Sequence, residues 1–269
     1  MRNFRGKASH QTAPRMAGLR NDDCSLCGSG DERGNDVLKV DLHLHSSEDP
    51  VDVICHDAHQ LIDRAAELGF DALALTLHDC DFRDPGLCAY ARERGIVLIP
   101  GVERTIEGRH VLLLNFRERT DGVRTFEDLA ELRRTGDGLV IAAHPYFPDR
   151  SCLRWRLDRY AELFDAVEWS YFWTRALNFN AKAARFAAQH GKPLVASSDL
   201  HDLRQLGRTY SLVFADRDPD SICAAIREGR VSIQTSPVPK LELARVLGGM
   251  FRRGNKTRVG IDSPAIATT

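Results

Sequence analysis

The segment Asp41-Leu42-His43-Leu44-His45 contains the residues of this sequence whose types and spacing most clearly suggest chemistry. In a β-strand, alternate side chains point to one face, so His43 and His45 share a face while Leu42 and Leu44 share the other. Two imidazoles are thereby directed at one point, as ligands of a metal ion are. A lone His-x-His pair is weak evidence, and the rest of the chain has to support it.

Six further polar residues recur in the same way, next to short apolar runs. They are His78, Glu103, His110, His144, Asp199 and His201. Six histidines with a few carboxylates, and no cysteine among them, suit Zn, Mn or Fe better than Ca or Mg. Glu103 lies in the middle of the series and has two oxygens, so we expect it to bridge two ions. The pattern predicts a multinuclear metal centre.

The elements that must position these residues can be predicted from apolar runs and turn residues. Nine strands are expected at residues 38–42, 72–76, 97–99, 111–115, 139–143, 166–169, 194–196, 211–214 and 231–234. Helical patterns occupy residues 58–68, 87–94, 126–134, 155–164, 176–190 and 219–228. This alternation predicts a parallel sheet that closes into an α/β barrel, with its chemistry at the carboxyl ends of the strands. Each suspected ligand lies at or just beyond that end, except His110, which opens its strand.

Composition divides the chain into three parts. Residues 1–35 are polar and aperiodic and are predicted to be a flexible extension, residues 36–248 form the domain, and residues 249–269 are predicted to be a flexible tail. Cys24-x-x-Cys27 lies in the extension without a second cysteine pair, so we do not predict a zinc ribbon there.

Charge and hydropathy narrow the partners and the compartment. A net charge of −1 gives no global basic field, so a nucleic-acid partner is unsupported, although it is not excluded. No apolar stretch reaches the roughly 20 residues that span a bilayer, and no secretory signal is visible, so we expect a cytoplasmic protein with no membrane contact. The seven cysteines, an odd number, indicate reduced thiols.

Six segments in this order resemble the motifs of the polymerase and histidinol phosphatase (PHP) superfamily: DLHLHSSEDP, LTLHD, PGVE, RHVLLLN, AAHPY and SSDLH. The resemblance runs from about Leu38 to Gln234. It implies a distorted (β/α)7 barrel of the PHP type with two or three divalent metal ions. It also implies hydrolysis of phosphoesters, with a water or hydroxide that bridges two ions as the nucleophile.

The resemblance also implies ligand sets and catalytic residues. One ion would be held by His43, His45, Glu103 and Asp199, a second by Glu103, His110 and His144, and a third by Asp49, His78 and His201. The catalytic residues would be Glu103, His144, Asp199 and His201. Two departures bear on the third ion. Leu77 stands where the family usually has an aspartate, and Glu48, Asp52 and His56 compete with the preferred Asp49.

Substrate contacts are predicted from arginines near the metal end, because a guanidinium binds phosphate with two parallel hydrogen bonds. The candidates are Arg104, Arg175, Arg204 and Arg208, each with solvated surface charge as the alternative. The aromatic run at residues 169–173 is expected to pack, rather than to stack on a base. His10, His59 and His190 are expected at the surface.

The function predicted from these observations is a metal-dependent phosphoesterase, a phosphomonoesterase acting on a small metabolite or nucleotide. One alternative is an amidohydrolase-type hydrolase of C–N bonds, which Glu103 in the bridging position and Asp199-x-His201 disfavour. Another is a catalytically silent metal-binding module, although no ligand is clearly lost. The sequence leaves open the substrate, the identity of the metals and the oligomeric state.

Overall fold

The computed structural model describes residues 36–246 and 248. The predicted extension at residues 1–35, with Cys24 and Cys27, and the predicted tail at residues 249–269 lie outside these residues, so both stay predictions. Cys80, Cys88, Cys152 and Cys223 in the described part are free thiols. No helix in that part has the length and hydropathy needed to cross a membrane.

Nine strands form one sheet. They are β1 (Asp36–Leu44), β2 (Ala72–Leu75), β3 (Val97–Ile106), β4 (Arg109–Leu114), β5 (Leu139–Ala142), β6 (Ala166–Ser170), β7 (Leu194–Ser197), β8 (Thr209–Ala215) and β9 (Val231–Thr235). Their spatial order is β7-β6-β5-β4-β3-β2-β1-β8-β9. β4 and β8 run antiparallel to both of their neighbours, and the other seven strands are parallel to one another.

The helices lie between the strands. They are α1 (Ala58–Glu67), α2 (Pro85–Glu93), α3 (Phe126–Thr135), α4 (Trp155–Arg159), α5 (Asn180–Gln189) and α6 (Pro219–Arg227), and residues 240–246 are also helical. Capping boxes at Asp57 and Thr125 supply hydrogen-bond acceptors to the free N–H groups that begin α1 and α3. The apolar face of α1, with Leu61 and Ile62, packs against Leu73 and Leu75 of β2.

The sheet curls into a nearly closed barrel. The hydroxyl of Ser211 on β8 donates to the carbonyl of Ala196 on β7 at 3.0 Å and accepts from its N–H at 2.8 Å. This contact links β7, the strand at one end of the sheet, to β8, which is next to the strand at the other end. Alternate residues of eight strands form one buried cluster inside the barrel, and α6 packs against this cluster. The predicted fold class, an α/β protein with a distorted barrel of the PHP type, is confirmed, although the sheet has nine strands rather than seven.

Gly101 marks the point at which β3 changes partner. Up to Pro100 this strand pairs in parallel with β2, and from Gly101 onward it pairs antiparallel with β4. A Cβ atom at Gly101 would lie 2.7 Å from Leu114 Cδ2, closer than van der Waals contact permits. A larger residue at position 101 would therefore displace the Leu114 side chain. The extended β3 carries Glu103 to the carboxyl end of β2.

Candidate metal centre

Glu103 and His78 are brought together by a short continuation of the β2–β3 pairing. The Glu103 N–H donates to the carbonyl of Leu77 at 3.2 Å, and the Asp79 N–H donates to the carbonyl of Glu103 at 2.9 Å. This bridge sets His78 and Glu103 opposite each other. Leu77, which is fully buried, contributes its backbone to the site.

The end of β1 is joined to the loop that follows β7. The Leu200 N–H donates to the carbonyl of His43 at 3.2 Å, and the His45 N–H donates to the carbonyl of Leu200 at 3.1 Å. Asp199 and His201 flank Leu200 and are thereby carried to the two histidines of β1. Asp199 has a φ of 46°, a conformation uncommon for a non-glycine residue and frequent where a side chain is held for function.

The end of β1 does not follow simple strand alternation. Leu42 packs in the cluster inside the barrel, whereas Leu44 packs in the cluster of α1. A shift in the pairing register with β2 between Asp41 and Leu44 accounts for this difference. The prediction that the two leucines share a face was wrong, but the rings of His43 and His45 still lie 5.2 Å apart.

One oxygen of Glu103 faces three imidazoles. Its Oε2 lies 3.2 Å from His43 Nε2, 3.3 Å from His45 Nε2 and 3.1 Å from His78 Nε2. Asp199 Oδ1 lies 3.5 Å from His43 Nε2 and 3.7 Å from His45 Nε2. These separations suit ligands on one ion, because bonds of about 2.1 Å at tetrahedral angles place ligand atoms about 3.4 Å apart.

The other oxygen of Glu103 faces a second pair of imidazoles. Its Oε1 lies 2.7 Å from His110 Nδ1 and 3.1 Å from His144 Nε2. Because β4 runs antiparallel to its neighbours, its first residues lie at the carboxyl ends of the other strands. This direction explains why His110 reaches the centre from the start of a strand.

Two buried nitrogen atoms show that a divalent ion fits this centre. His43 Nε2 and His45 Nε2 have no hydrogen-bond partner in the described part of the chain, because Glu103 Oε2 is poorly aligned with both rings. The Nδ1 atoms of these rings lie 2.9 Å from Glu168 Oε1 and Asp49 Oδ2, respectively. A carboxylate that accepts from Nδ1–H leaves the Nε2 lone pair free for a metal ion.

Glu168 is the residue that sequence reasoning missed. It is fully buried on β6, and its second oxygen accepts the backbone N–H of His144 at 2.6 Å. His144 has a φ of 27°, so the Glu168 carboxylate holds the strained backbone of His144 as well as the ring of His43. The available signal was an acidic residue inside an apolar strand, since buried glutamates are almost always paired.

Of the residues predicted for a third ion, Asp49 and His78 lie together beside His45 in a group that could hold a metal ion, whereas His201 does not belong to this group. Asp49 Oδ2 accepts from His45 Nδ1–H at 2.9 Å, from the His78 N–H at 2.9 Å and from His78 Nδ1–H at 3.0 Å. His201 Nε2 instead faces Asp52 Oδ2 at 2.9 Å. Asp49 therefore orients two histidines, and Asp52 is the acid beside His201. The third ion itself stays a prediction.

Opposite charges dominate the electrostatics of the metal-free centre. Burial disfavours a charged His43 ring, but Glu103, Glu168 and Asp199 outweigh burial, and the pKa of His43 lies well above its ordinary value. Burial also opposes the charge of Glu103, yet the surrounding histidines hold its pKa well below the usual range. In the same way, the pKa of Asp199 is lowered to about 2. Protons thus occupy the place that cations would take, and metal binding would release them.

The pKa of His45 moves in the other direction. Burial lowers the pKa of this ring, and the neighbouring His78 and His201 lower it further. A neutral imidazole is the form that binds a metal ion. His45 is therefore prepared as a ligand before any ion arrives.

The four predicted substrate arginines differ in their surroundings. Arg104 is fully buried, and its guanidinium donates to Asp79 and to the hydroxyl of Thr120. Its predicted role in substrate binding is therefore corrected to a structural one, because a buried and paired guanidinium cannot reach a ligand. Arg204 is exposed and paired with Asp202.

The other two arginines, Arg175 and Arg208, also differ from each other. Arg208 pairs with Glu242, and Arg175 is exposed in the loop after β6.

His56 is buried, and its Nε2–H donates to the carbonyl of His45 at 2.9 Å, so it supports the end of β1. Tyr171 is buried against the helical residues 240–246, which agrees with the packing role expected for the aromatic run.

Comparison with known proteins gives one family match. The model of the PHP-associated family PHP_C matches residues 178–231 of this chain. No curated protein sequence matches the chain.

Solved structures with a similar fold include three informative neighbours. A two-domain protein from Bacteroides vulgatus that contains a predicted PHP-like metal-dependent phosphoesterase has a TM-score of 0.57 at 20% identity, over 83% of this chain and 72% of that one. PsfC from Pseudomonas syringae has a TM-score of 0.55 at 16% identity, over 82% of this chain and 99% of that one. The lesion-specific endonuclease EndoQ from Pyrococcus furiosus has a TM-score of 0.53 at 20% identity, over 73% of this chain and 57% of that one. At these identities the likeness concerns the fold.

Proposed function

We propose that this chain is a metal-dependent phosphoesterase of the PHP superfamily, because the PHP-associated family model matches residues 178–231 and the fold resembles that of a protein with a predicted PHP-like phosphoesterase. The proposed substrate is a phosphate ester of a small metabolite or nucleotide, with phosphomonoester hydrolysis as the reaction. Two divalent ions, when bound, supply the Lewis acidity that activates water and neutralises charge on the phosphate. Zn, Mn or Fe suits the nitrogen and oxygen donors present.

The observation that carries the proposal is the position of the Glu103 carboxylate. Its two oxygens face two separate groups of imidazoles, with nitrogen atoms 2.7–3.3 Å away. Its side chain is only 1% exposed, so no bulk water screens it. A buried carboxylate shared in this way can hold two cations at one site, as a phosphoesterase requires. Without cations, a buried carboxylate among five imidazoles would have no comparable structural purpose.

The protein's own side chains supply the remaining chemistry. Asp52, placed 2.9 Å from His201 Nε2, raises the pKa of His201 against the effect of burial. A protonated His201 at the edge of the centre can give its proton to the departing ester oxygen. A cavity of about 340 Å³ beside His201, His56 and Leu203 offers room for a leaving group. The exposed Arg175 and Arg204 are the predicted arginines available to a phosphate.

The experiment is a phosphatase panel on metal-reconstituted protein, with the bound ions counted by elemental analysis. Glu103→Gln keeps the shape of the side chain but removes the charge between the two ligand groups. We expect its activity to fall by at least about a hundredfold, in the range seen when catalytic electrostatics are removed. His190→Ala, which changes an exposed residue of the outer surface, is the control and should retain full activity. Full activity in Glu103→Gln would refute the bridging role.

Addition of cyclic amides to the substrate panel distinguishes the two alternatives. An amidohydrolase-type enzyme would turn over cyclic amides and leave every phosphoester intact. A silent metal-binding module would bind its ions and turn over neither class. Both outcomes would refute the proposed function.

A further inference from the structure

The loop between β5 and α4, called the rim loop here (residues 145–154), lies directly beside the metal centre. Two consecutive residues of this loop contact the second pair of imidazoles, which faces one oxygen of the bridging carboxylate. The His110 N–H donates to the carbonyl of Ser151 at 2.8 Å. Cys152 Sγ lies 3.3 Å from His144 Nδ1, within hydrogen-bond distance for sulfur. One short stretch of chain therefore holds both histidines of this pair.

The rim loop is itself fixed by hydrogen bonds. The Arg154 N–H donates to the carbonyl of Pro145 at 2.9 Å, which closes the loop. Within the loop, the Ser151 N–H donates to Asp149 Oδ1 at 2.8 Å. Cys152 is fully buried. Its thiol therefore cannot leave the His144 ring unless the whole loop is displaced.

The sulfur of Cys152 has to act as an acceptor when His144 binds a metal ion. His144 Nε2 is the ring nitrogen that faces the centre, 3.1 Å from Glu103 Oε1. A neutral imidazole that binds a metal ion through Nε2 carries its single proton on Nδ1. That proton is directed at the sulfur, so the thiol fixes the tautomer of His144.

The first pair of imidazoles, which faces the other oxygen of Glu103, has stronger acceptors. His43 Nδ1–H donates to Glu168 Oε1 and His45 Nδ1–H donates to Asp49 Oδ2, each at 2.9 Å. Both acceptors are buried carboxylates. A carboxylate orients the ring and raises its basicity as a ligand, whereas a thiol sulfur is only a weak acceptor. The two pairs of imidazoles are therefore supported unequally.

His110 increases this difference. Its Nδ1 lies 2.7 Å from Glu103 Oε1, so Nε2 is the nitrogen that a supporting group would hold. No hydrogen bond joins this Nε2 to the residues that the structure describes, and the side chain is 18% exposed. Apart from Glu103 itself, no carboxylate in that part of the chain accepts a hydrogen bond from either ring of the second pair.

We propose that Cys152 is the positioning residue of His144, and that its weak sulfur acceptor makes the ion on the side of His110 and His144 more weakly bound than the ion on the side of His43. The inference rests on the proposed function for the presence of two ions. A supporting carboxylate typically contributes about 10- to 100-fold to metal affinity, so the two dissociation constants should differ by at least about tenfold. At limiting metal the protein then carries one ion, and the pair forms only as the free metal concentration rises.

The test is a competition titration of metal-free protein with Zn²⁺ and chromophoric chelators of different affinities. All proteins carry Cys24→Ser and Cys27→Ser, so that these thiols bind no metal. We expect Cys152→Ala to raise one dissociation constant about 2- to 10-fold, the range of one net hydrogen bond, and to leave the smallest constant unchanged. Cys223→Ala removes another buried thiol, on α6, and is the matched control with wild-type constants.

Two further substitutions separate the acceptor from the volume of the side chain. Cys152→Ser keeps an acceptor and should recover most of the loss, because a hydroxyl oxygen accepts more strongly than sulfur. Cys152→Val fills the space without an acceptor and should weaken binding as Cys152→Ala does. Thermal unfolding of the metal-free proteins shows whether each variant is folded. Titration with Co²⁺ tests whether the sulfur itself binds the ion, since a thiolate ligand would add a charge-transfer band that Cys152→Ala removes.

Four results would overturn the inference. They are equal dissociation constants in wild type, a folded Cys152→Ala protein with wild-type constants, equal weakening by Cys152→Ala and Cys152→Ser, and a charge-transfer band that depends on Cys152. Hydrolysis of p-nitrophenyl phosphate by a protein with equal constants would refute this inference alone. Unequal constants that respond to Cys152 as described, without turnover of any phosphoester, would refute the proposed function alone.

Discussion

Glu168→Gln should weaken metal binding at both groups of ligands, because Glu168 holds one residue of each. Its Oε1 accepts His43 Nδ1–H at 2.9 Å, and its Oε2 accepts the His144 N–H at 2.6 Å. Glutamine has nearly the same shape but only one acceptor oxygen, and its NH₂ group can only donate. One of the two partners must therefore face a donor.

Either orientation of the glutamine amide is costly. If the NH₂ group faces the His144 backbone, two donors meet in a fully buried position. If it faces His43, the ring must accept at Nδ1, and its proton then moves to Nε2 and blocks the metal-binding lone pair. A buried hydrogen bond left unmade costs about 1–3 kcal/mol. Loss of such a supporting carboxylate typically lowers metal affinity about 10- to 100-fold, or about 1.4–2.7 kcal/mol, and the two ranges agree.

The assay is a titration of metal-free protein with Zn²⁺ in competition with a chromophoric chelator. Glu93→Gln removes an exposed carboxylate of α2 and serves as the matched control. Thermal unfolding of the metal-free proteins shows whether each variant is folded. A Glu168→Gln protein that is folded and binds Zn²⁺ within twofold of wild type would refute the reasoning.

Three further predictions concern the ions and protons of the centre. Reconstituted protein should carry two or three divalent ions per chain and lose activity to chelators; fewer than one ion after reconstitution with Zn, Mn and Fe would contradict the centre as described. If His201 binds a third ion, His201→Ala and Asp52→Asn should each lower the ion count by about one, whereas an unchanged count together with a lower kcat would assign His201 to proton transfer. Burial opposes a charged His78, but Glu103 and Asp49 raise its pKa to about 9 in the metal-free protein. The stability that this shift contributes should be full below about pH 6.5, the unfolded value, and should be lost as the pH rises toward 9, which urea unfolding at several pH values would test. Metal binding at pH 7.5 should release this proton. Calorimetry in two buffers of different ionisation enthalpy counts the protons released on metal binding, and the count should be about one lower for His78→Asn than for wild type.

The strands and the candidate metal ligands could be predicted from the amino-acid sequence alone. All nine predicted strands exist, because each is a short apolar run whose periodicity and flanking turn residues are local properties. The histidines and carboxylates at the strand ends could be recognised from their position after those runs. Glu103 was expected to lie between two groups of ligands, and its two oxygens do face two groups.

Prediction of strand and helix ends from the local sequence pattern was less reliable where contacts with distant residues decide the conformation. β3 was expected to end at Ile99, yet pairing with β4 extends it to Ile106. The helix expected from Ala176 begins at Asn180, whose side chain is used by the backbone of Ser170. In both cases tertiary contacts override the conformation that the local sequence favours.

The residues that hold the candidate ligands in place could be recognised only from the tertiary structure. The burial of Arg104 has no local sign. The antiparallel direction of β4, which brings His110 to the other ligands, is set by the two-residue turn Glu107-Gly108, where both residues have a positive φ, but the prediction that β3 ends at Ile99 left this turn outside a hairpin. The choice between Asp49 and Asp52 as the partner of His201 depends on how a loop folds over the end of β1. Glu168 joins residues of β1 and of the turn after β5, which lie 125 and 24 positions away in sequence. Such contacts are set by the closure of the barrel, and this is why residue types and spacing identified the ligands but not the groups that hold them.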